Sequence, residues 1–190
     1  MSARGVTGAT ASPRYDPVAQ ALHWLTFALL AVSIPIAILL ANVEFRDALK
    51  YALYDVHQSI GLTVGALTLA RLAWRWRNPP PPRPSSLPPG LVLGERIVHA
   101  ALYALLLIMP MLGWLADSAL GFAPNYWWLV ELPPLLEKNN PLGLWLLGFH
   151  KWLGFALLAL LALHVGAALW HHFVRRDGTL GRMLPAPRDG

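Results

Sequence analysis

Four apolar stretches, each at least as long as the roughly 20 residues a helix needs to cross a hydrocarbon core of about 30 Å, leave this chain little choice but helices packed side by side in a bilayer. They run from Val18 to Ala41, Tyr51 to Trp74, Val92 to Ala116 and Leu142 to His172. With 56% hydrophobic and 13% charged residues among 190, almost nothing remains for a domain outside the membrane. The first stretch does not read as a cleavable leader: it is too long, holds His23, and lacks a small-residue cleavage site with a soluble domain behind it. The expected fold is an all-α membrane protein, a four-transmembrane-helix bundle over residues 18–172 with an N-terminal tail at 1–17 and a C-terminal tail at 173–190.

Orientation follows from the basic residues. If both termini and the connection between the second and third stretches share one side, that side collects Arg4, Arg14, Arg71, Arg75, Arg77, Arg83, Arg96, Arg175, Arg176, Arg182 and Arg188. The other side receives Arg46, Lys50, Lys138 and Lys151. Eleven against four puts both termini in the cytoplasm by the positive-inside rule. The net charge of +5 is then a topology device that also meets anionic lipid, and it does not indicate nucleic-acid binding.

The connections differ in character. Asn78 to Gly90, NPPPPRPSSLPPG, holds seven of the seventeen prolines, so an extended polyproline-type strap is expected there. On the outer side, Asp117 to Pro141 contains Tyr126, Trp127 and Trp128, which suit either an interfacial aromatic belt or a substrate gate. Pro35 and Pro110 fall inside the first and third stretches, where a kink is tolerated.

The histidines carry the chemistry. His150 and His164 are fourteen residues apart, which returns them to nearly one helix face about 21 Å apart along the axis. Ionisable side chains at membrane depth are expensive and are functional candidates by default. His23 lies near the cytoplasmic start of the first stretch and His57 near the outer start of the second. The fourth stretch runs inward, so depth pairs His57 with His150 and His23 with His164. The opposite pairing would require each couple to bridge about 20 Å along the membrane normal.

A bis-imidazole site restricts what it can hold. Zinc generally takes four ligands, often with cysteine or carboxylate, and among these stretches only Asp55 near the outer end offers one. Haem iron needs two axial ligands beyond its porphyrin, and helix bundles build such sites from facing helices. There is no cysteine, so CxxCH attachment, disulfides and iron–sulfur ligation by this chain are excluded and any haem is non-covalent, of b type. His57, Gly61 and Gly65 recur every four residues and His150 precedes Gly154 at the same interval, which leaves room for a macrocycle or for close helix packing.

Other residues have two readings each. His99, near the cytoplasmic start of the third stretch, is either an interfacial histidine bonded to a carbonyl or a proton carrier at a quinone pocket; Gly113 stands fourteen residues on. His171 and His172 either end the fourth stretch at the interface or bond haem propionates or a quinone carbonyl. Arg71 and Arg75, one turn apart, either pair with propionates or mark the membrane boundary.

Local motifs point further. His23-Trp24-Leu25 at the start of the first stretch, LARLAWRW ending the second, PMLGW in the third and HHFVRRDGTLGRMLP from His171 to Pro185 resemble the bacterial cytochrome b561 family over roughly Arg14 to Pro187. The resemblance implies a four-helix protein of the bacterial inner membrane in which His23, His57, His150 and His164 ligate two b haems, paired as depth pairs them. It further implies oxidation of superoxide at the periplasmic face and reduction of ubiquinone in the membrane. A saturated bis-histidine iron favours outer-sphere electron transfer.

For an anionic substrate, Lys151 beside His150, with Lys50, Arg46 and Lys138, can form a positive funnel, although the outer side also carries Glu44, Asp47, Asp55, Asp117, Glu131 and Glu137. The alternative function is a cytochrome b subunit relaying electrons between quinone and a periplasmic or other partner redox protein. A homodimer is one assembly the pattern permits. A haem-free metal transporter fits poorly, because transport sites usually join histidine to intramembrane carboxylates.

Overall fold

The computed structural model describes residues 14–82 and 88–185. Arg4, Arg83 and Arg188, counted above in the charge balance, lie outside the described residues, as does the middle of the proline-rich connection. Four long helices run antiparallel: α1 Pro17–Asn42, α2 Asp47–Arg77, α3 Pro89–Leu120 and α4 Asn140–Trp170. Each exceeds its apolar stretch by one to four residues at most ends; side-chain caps set the start of α1 and α4, whereas α2 and α3 begin without one. Asp16 caps α1, its Oδ1 accepting the N–H groups of Val18 and Ala19 at 3.0 Å, with Pro17 as the first helical residue. Asn139 caps α4 through Leu142 N–H at 3.1 Å. Gly121, at φ 87°, ends α3 in the left-handed conformation that an L side chain rarely adopts.

Helices α1, α3 and α4, the last with its continuation to Arg175, are long and apolar enough to cross a membrane. Helix α2 carries Asp47, Lys50, Asp55, Arg71, Arg75 and Arg77 and is less apolar, yet it packs against both α1 and α3. Large apolar side chains such as Leu25, Phe27, Trp145, Trp152, Phe155 and Leu163 are exposed around the outside, the reverse of a soluble bundle and the surface lipid requires.

The first and last described segments meet at one end of the bundle. Tyr15 N–H donates to the Arg182 carbonyl at 3.0 Å, Trp24 Nε1 to the Met183 carbonyl at 2.7 Å, and buried Arg182 donates Nη2 to the carbonyls of Pro81 and Pro82 at 3.0 and 2.7 Å. Trp74 Nε1 donates to Asp16 Oδ1 at 2.9 Å. The N-terminal segment, the α2–α3 connection and the C-terminal 3-10 turn Leu180–Met183 are thus tied into one cap.

At the opposite end, residues 121–139 carry a short hairpin, β1 Asn125–Tyr126 with β2 Val130–Glu131. Trp127 and Trp128, at φ 51° and 57°, form its turn, a conformation usually left to glycine or asparagine. Polar groups on α2 hold it. Ser59 Oγ accepts Trp127 N–H at 2.8 Å and donates to the Asn125 carbonyl at 3.2 Å, and Trp127 Nε1 donates to Thr63 Oγ1 at 3.2 Å. Trp127 also packs against the apolar core, whereas Trp128 is exposed and donates Nε1 to Asp55 Oδ2 at 3.1 Å. Of the aromatic run, then, Trp128 faces outward as an interfacial anchor does, and half-buried Trp127 turns inward against the core.

Candidate cofactor site

The helix period places functional side chains in two tiers, seven residues to each side of a packed apolar layer. Val64 on α2, Leu106 on α3 and Leu157 on α4, exposed by 3%, 7% and 6%, pack in one cluster that Leu30 of α1 joins from its edge. Seven residues from them toward the hairpin end stand His57, Gly113 and His150; seven residues the other way stand Arg71, His99 and His164. Leu30 is likewise seven residues from His23. Two turns of helix, about 10 Å, therefore separate each tier from the layer.

The tier near the hairpin brings His57 and His150 together, with ring centroids 6.2 Å apart and planes at 80°. The tier near the chain termini brings His23 and His164 together, at 6.1 Å and 71°. Two metal–nitrogen bonds of about 2.0 Å, each extended by about 1.1 Å from ring nitrogen to ring centre, put two imidazole centroids that share one iron about 6.2 Å apart. Both pairs have that separation. Among the described residues, no group of three or more His, Cys, Asp or Glu is placed to hold a metal ion, so each tier offers what a porphyrin iron needs and a bare zinc ion does not.

Surrounding groups orient the rings. Nδ1 of His57 lies 3.0 Å from Ser33 Oγ and 3.3 Å from the Ser33 carbonyl. Bonding of Nδ1–H to that carbonyl leaves Nε2 with a free lone pair, the form a metal-binding histidine takes. Nδ1 of His150 is buried, and among the described residues no group meets it in good hydrogen-bonding geometry. A buried polar atom without a partner is costly, so this ring is incompletely satisfied by the protein alone. A Cβ on Gly113 would stand 3.5 Å from His150 Cε1 and 3.7 Å from its Nδ1, so the bare backbone of α3 cradles the imidazole. The residues present fit a bis-histidine b haem in both tiers.

The glycines singled out by period on α2 serve packing instead. A Cβ on Gly65 would meet Pro110 Cγ at 3.1 Å, and on Gly61 Pro110 Cβ at 4.0 Å, so they admit the proline of α3. Gly154 faces Met109 Cε at 3.8 Å. The glycine against a histidine is Gly113, which the sequence marks only as the position fourteen residues after His99.

The remaining candidates lie mostly around the tier near the termini. His99 touches His164, centroids 5.2 Å apart, and its Nδ1 is 3.7 Å from Glu95 Oε1. Arg71 sits 5.5 Å over the Tyr103 ring within electrostatic reach of His23, His99 and His164, while Arg75 is exposed. His171 opens a π-helical turn, His171–Arg175, and its Nδ1 is 2.5 Å from Asp177 Oδ2. His172 is exposed beside Phe173. In the other tier Lys151 follows His150 but is exposed on the outside of α4. Sequence reading missed Ser33 as the partner of His57. Its one signal is a polar side chain in an otherwise apolar run.

Residues 14–186 match the family profile described as Prokaryotic cytochrome b561. Similar proteins include the Escherichia coli (strain K12) cytochrome b561 homolog 2, 29% identical over 90% of this chain and 91% of that protein. Cytochrome b561 homolog 1 of the same organism is 25% identical over 90% of this chain and 97% of its own. A probable superoxide oxidase, CybB, of Yersinia pestis is 26% identical over 92% and 98%.

Proposed function

Because the chain belongs to the prokaryotic cytochrome b561 family, whose members bind haem b and transfer electrons in bacterial membranes, we propose that it holds two b haems and passes electrons across the inner membrane from superoxide to ubiquinone. The observation that carries this reading is the pair of imidazole couples at 6.1 and 6.2 Å, one on each side of a packed apolar layer. His57 with His150, and His23 with His164, would hold the two haems, and haem b bound there would supply a one-electron couple. α2 serves as the fourth span and both termini lie in the cytoplasm, so the His57–His150 tier is the outer one. The layer of Val64, Leu106 and Leu157 excludes water between the tiers, which lets electrons tunnel while opposing ion and proton leakage.

The chain's own residues fill the remaining roles. Lys151, exposed next to His150, steers an anion toward the outer tier. Arg75 meets the inner haem's propionates, and Arg71, over the Tyr103 ring, stands at the level of the same tier. His99, bracketed by Glu95 and His164, holds or delivers a proton at the inner tier, and His171 and His172 face the headgroup level where a quinone enters. Superoxide as donor is favoured by the likeness to a probable superoxide oxidase. Two superoxide ions then yield two molecules of dioxygen and two electrons, which with two protons convert one ubiquinone to ubiquinol.

Reduced-minus-oxidised spectra with a pyridine haemochrome assay test the cofactor, with two b haems per chain expected. Purified haem-loaded protein in liposomes, given superoxide and a ubiquinone analogue, is expected to form the quinol without another protein. A colourless chain defeats the whole reading; a haem-loaded chain that reduces the quinone only with an added redox protein replaces superoxide by that partner.

A further inference from the structure

The two tiers differ in charge. On α2, fourteen residues after His57, stands Arg71, so the same helix face presents an imidazole to the outer tier and a guanidinium to the inner one. Arg71 lies over Tyr103, and among the described residues no carboxylate pairs with it. The acid at this level, Glu95, is directed at His99 Nδ1 and its side chain is 35% exposed, so solvent screens it. Among the described residues the outer tier has no buried cation, since Arg46, Lys50, Lys138 and Lys151 are all exposed. One turn beyond Gly113 it has the Asp117 carboxyl, to which Gln58 Nε2 donates, and this group adds no positive charge whether or not it carries its proton.

Resting on the two-haem reading above, we propose that Arg71 raises the reduction potential of the inner tier above that of the outer tier and so sets the direction in which electrons cross the bundle. A fixed positive charge in a medium of low dielectric favours the state with one more electron, and its influence falls with distance. Arg71 stands at the level of His99 and His164, each seven residues from the packed layer, whereas the outer couple is about 21 Å away along the helix axis. Solvent-exposed Arg75 adds less. Arg71 acts here as a tuning residue.

The test is a spectroelectrochemical titration of the haem-loaded full chain, the two midpoints being assigned to tiers through His57→Ala and His164→Ala. Arg71→Gln is expected to move the inner tier's oxidised-to-reduced ratio at fixed potential at least about tenfold toward oxidised, about 59 mV for a one-electron couple, with the outer midpoint unmoved. Arg71→Lys keeps the charge and is expected to stay within about threefold of the parent. If Arg71→Gln fails to retain the inner haem, Tyr103→Glu, which sets an anion against the guanidinium, is expected to lower the same midpoint. An inner midpoint that stays put in whichever variant keeps its haem, or an equal shift in both tiers, overturns the proposal. Absence of haem from the parent chain defeats instead the reading on which the proposal rests.

Discussion

Ser33 on α1 meets His57 on α2 twice, its Oγ 3.0 Å and its backbone carbonyl 3.3 Å from the same ring nitrogen. The carbonyl fixes which nitrogen is protonated, and the hydroxyl adds a second restraint. Ser33→Ala removes only the second. Partners of this kind are typically worth about 10–100-fold in metal affinity, and with the carbonyl retained the lower end is expected, about tenfold faster loss of the outer haem to a haem acceptor with the inner haem unaffected. Stopped-flow or slow haem-transfer kinetics, read at the two tiers' absorption bands, measure it. Equal loss from both tiers would show that the serine acts on the fold.

The pairing itself makes a sharper demand. His57→Ala and His150→Ala are each expected to remove the outer haem and leave one b haem per chain, while His23→Ala and His164→Ala remove the inner one. Redox difference spectra of the four variants should therefore fall into two identical couples. If His23→Ala and His150→Ala matched each other instead, the tier assignment would be wrong.

That pairing was legible in the chain because it needs only helix rise and alternating direction, and both follow from the apolar stretches. The partner of His57 was not, because Ser33 meets it only through the rotation of α1 against α2, which side-chain packing sets. Gly113 was hidden for a similar reason: a missing Cβ matters only once α4 is known to bring His150 against it. Gly61 and Gly65 show the converse, since their regular spacing invites a cofactor cradle and the space is taken by Pro110. The hairpin gave no local signal at all. Its turn is made by two tryptophans in left-handed conformation, where Ser59, Thr63 and Asp55 on α2 supply hydrogen bonds that offset a strain of about 1–3 kcal/mol per residue. Local propensity yields there to tertiary contacts.

Gly113 makes a graded prediction. An added methyl would meet the His150 ring at 3.5 Å, an ordinary van der Waals contact, so Gly113→Ala is expected to keep both haems. Gly113→Leu drives branched carbon into the ring and is expected to lower outer haem occupancy severalfold while the inner tier stays filled. Haem-to-protein ratios for the two variants check this. Full occupancy with leucine would mean that the imidazole does not depend on that bare stretch of α3.

Asp177 ties the end of α4 to the C-terminal cap and gives the fold a defined response to acid. Burial alone would raise its carboxyl, but hydrogen bonds from Thr179 Oγ1 at 2.6 Å, His171 and Thr179 N–H at 3.1 Å, with the charge on His171, hold it below the ordinary carboxylate range. A carboxyl whose pKa is lower in the folded state stabilises that state fully above its unfolded value, and the contribution disappears as pH falls through the folded one. The cap is therefore expected to stay closed at neutral pH and to loosen only below the usual aspartate range of about 4. Asp177→Asn, which cannot carry the charge, should remove that acid dependence and expose the segment after His171 to protease already at neutral pH. Limited proteolysis across a pH series, followed by mass spectrometry of the C-terminal fragments, measures both; identical profiles for the parent and Asp177→Asn would show that the carboxylate does not hold the cap.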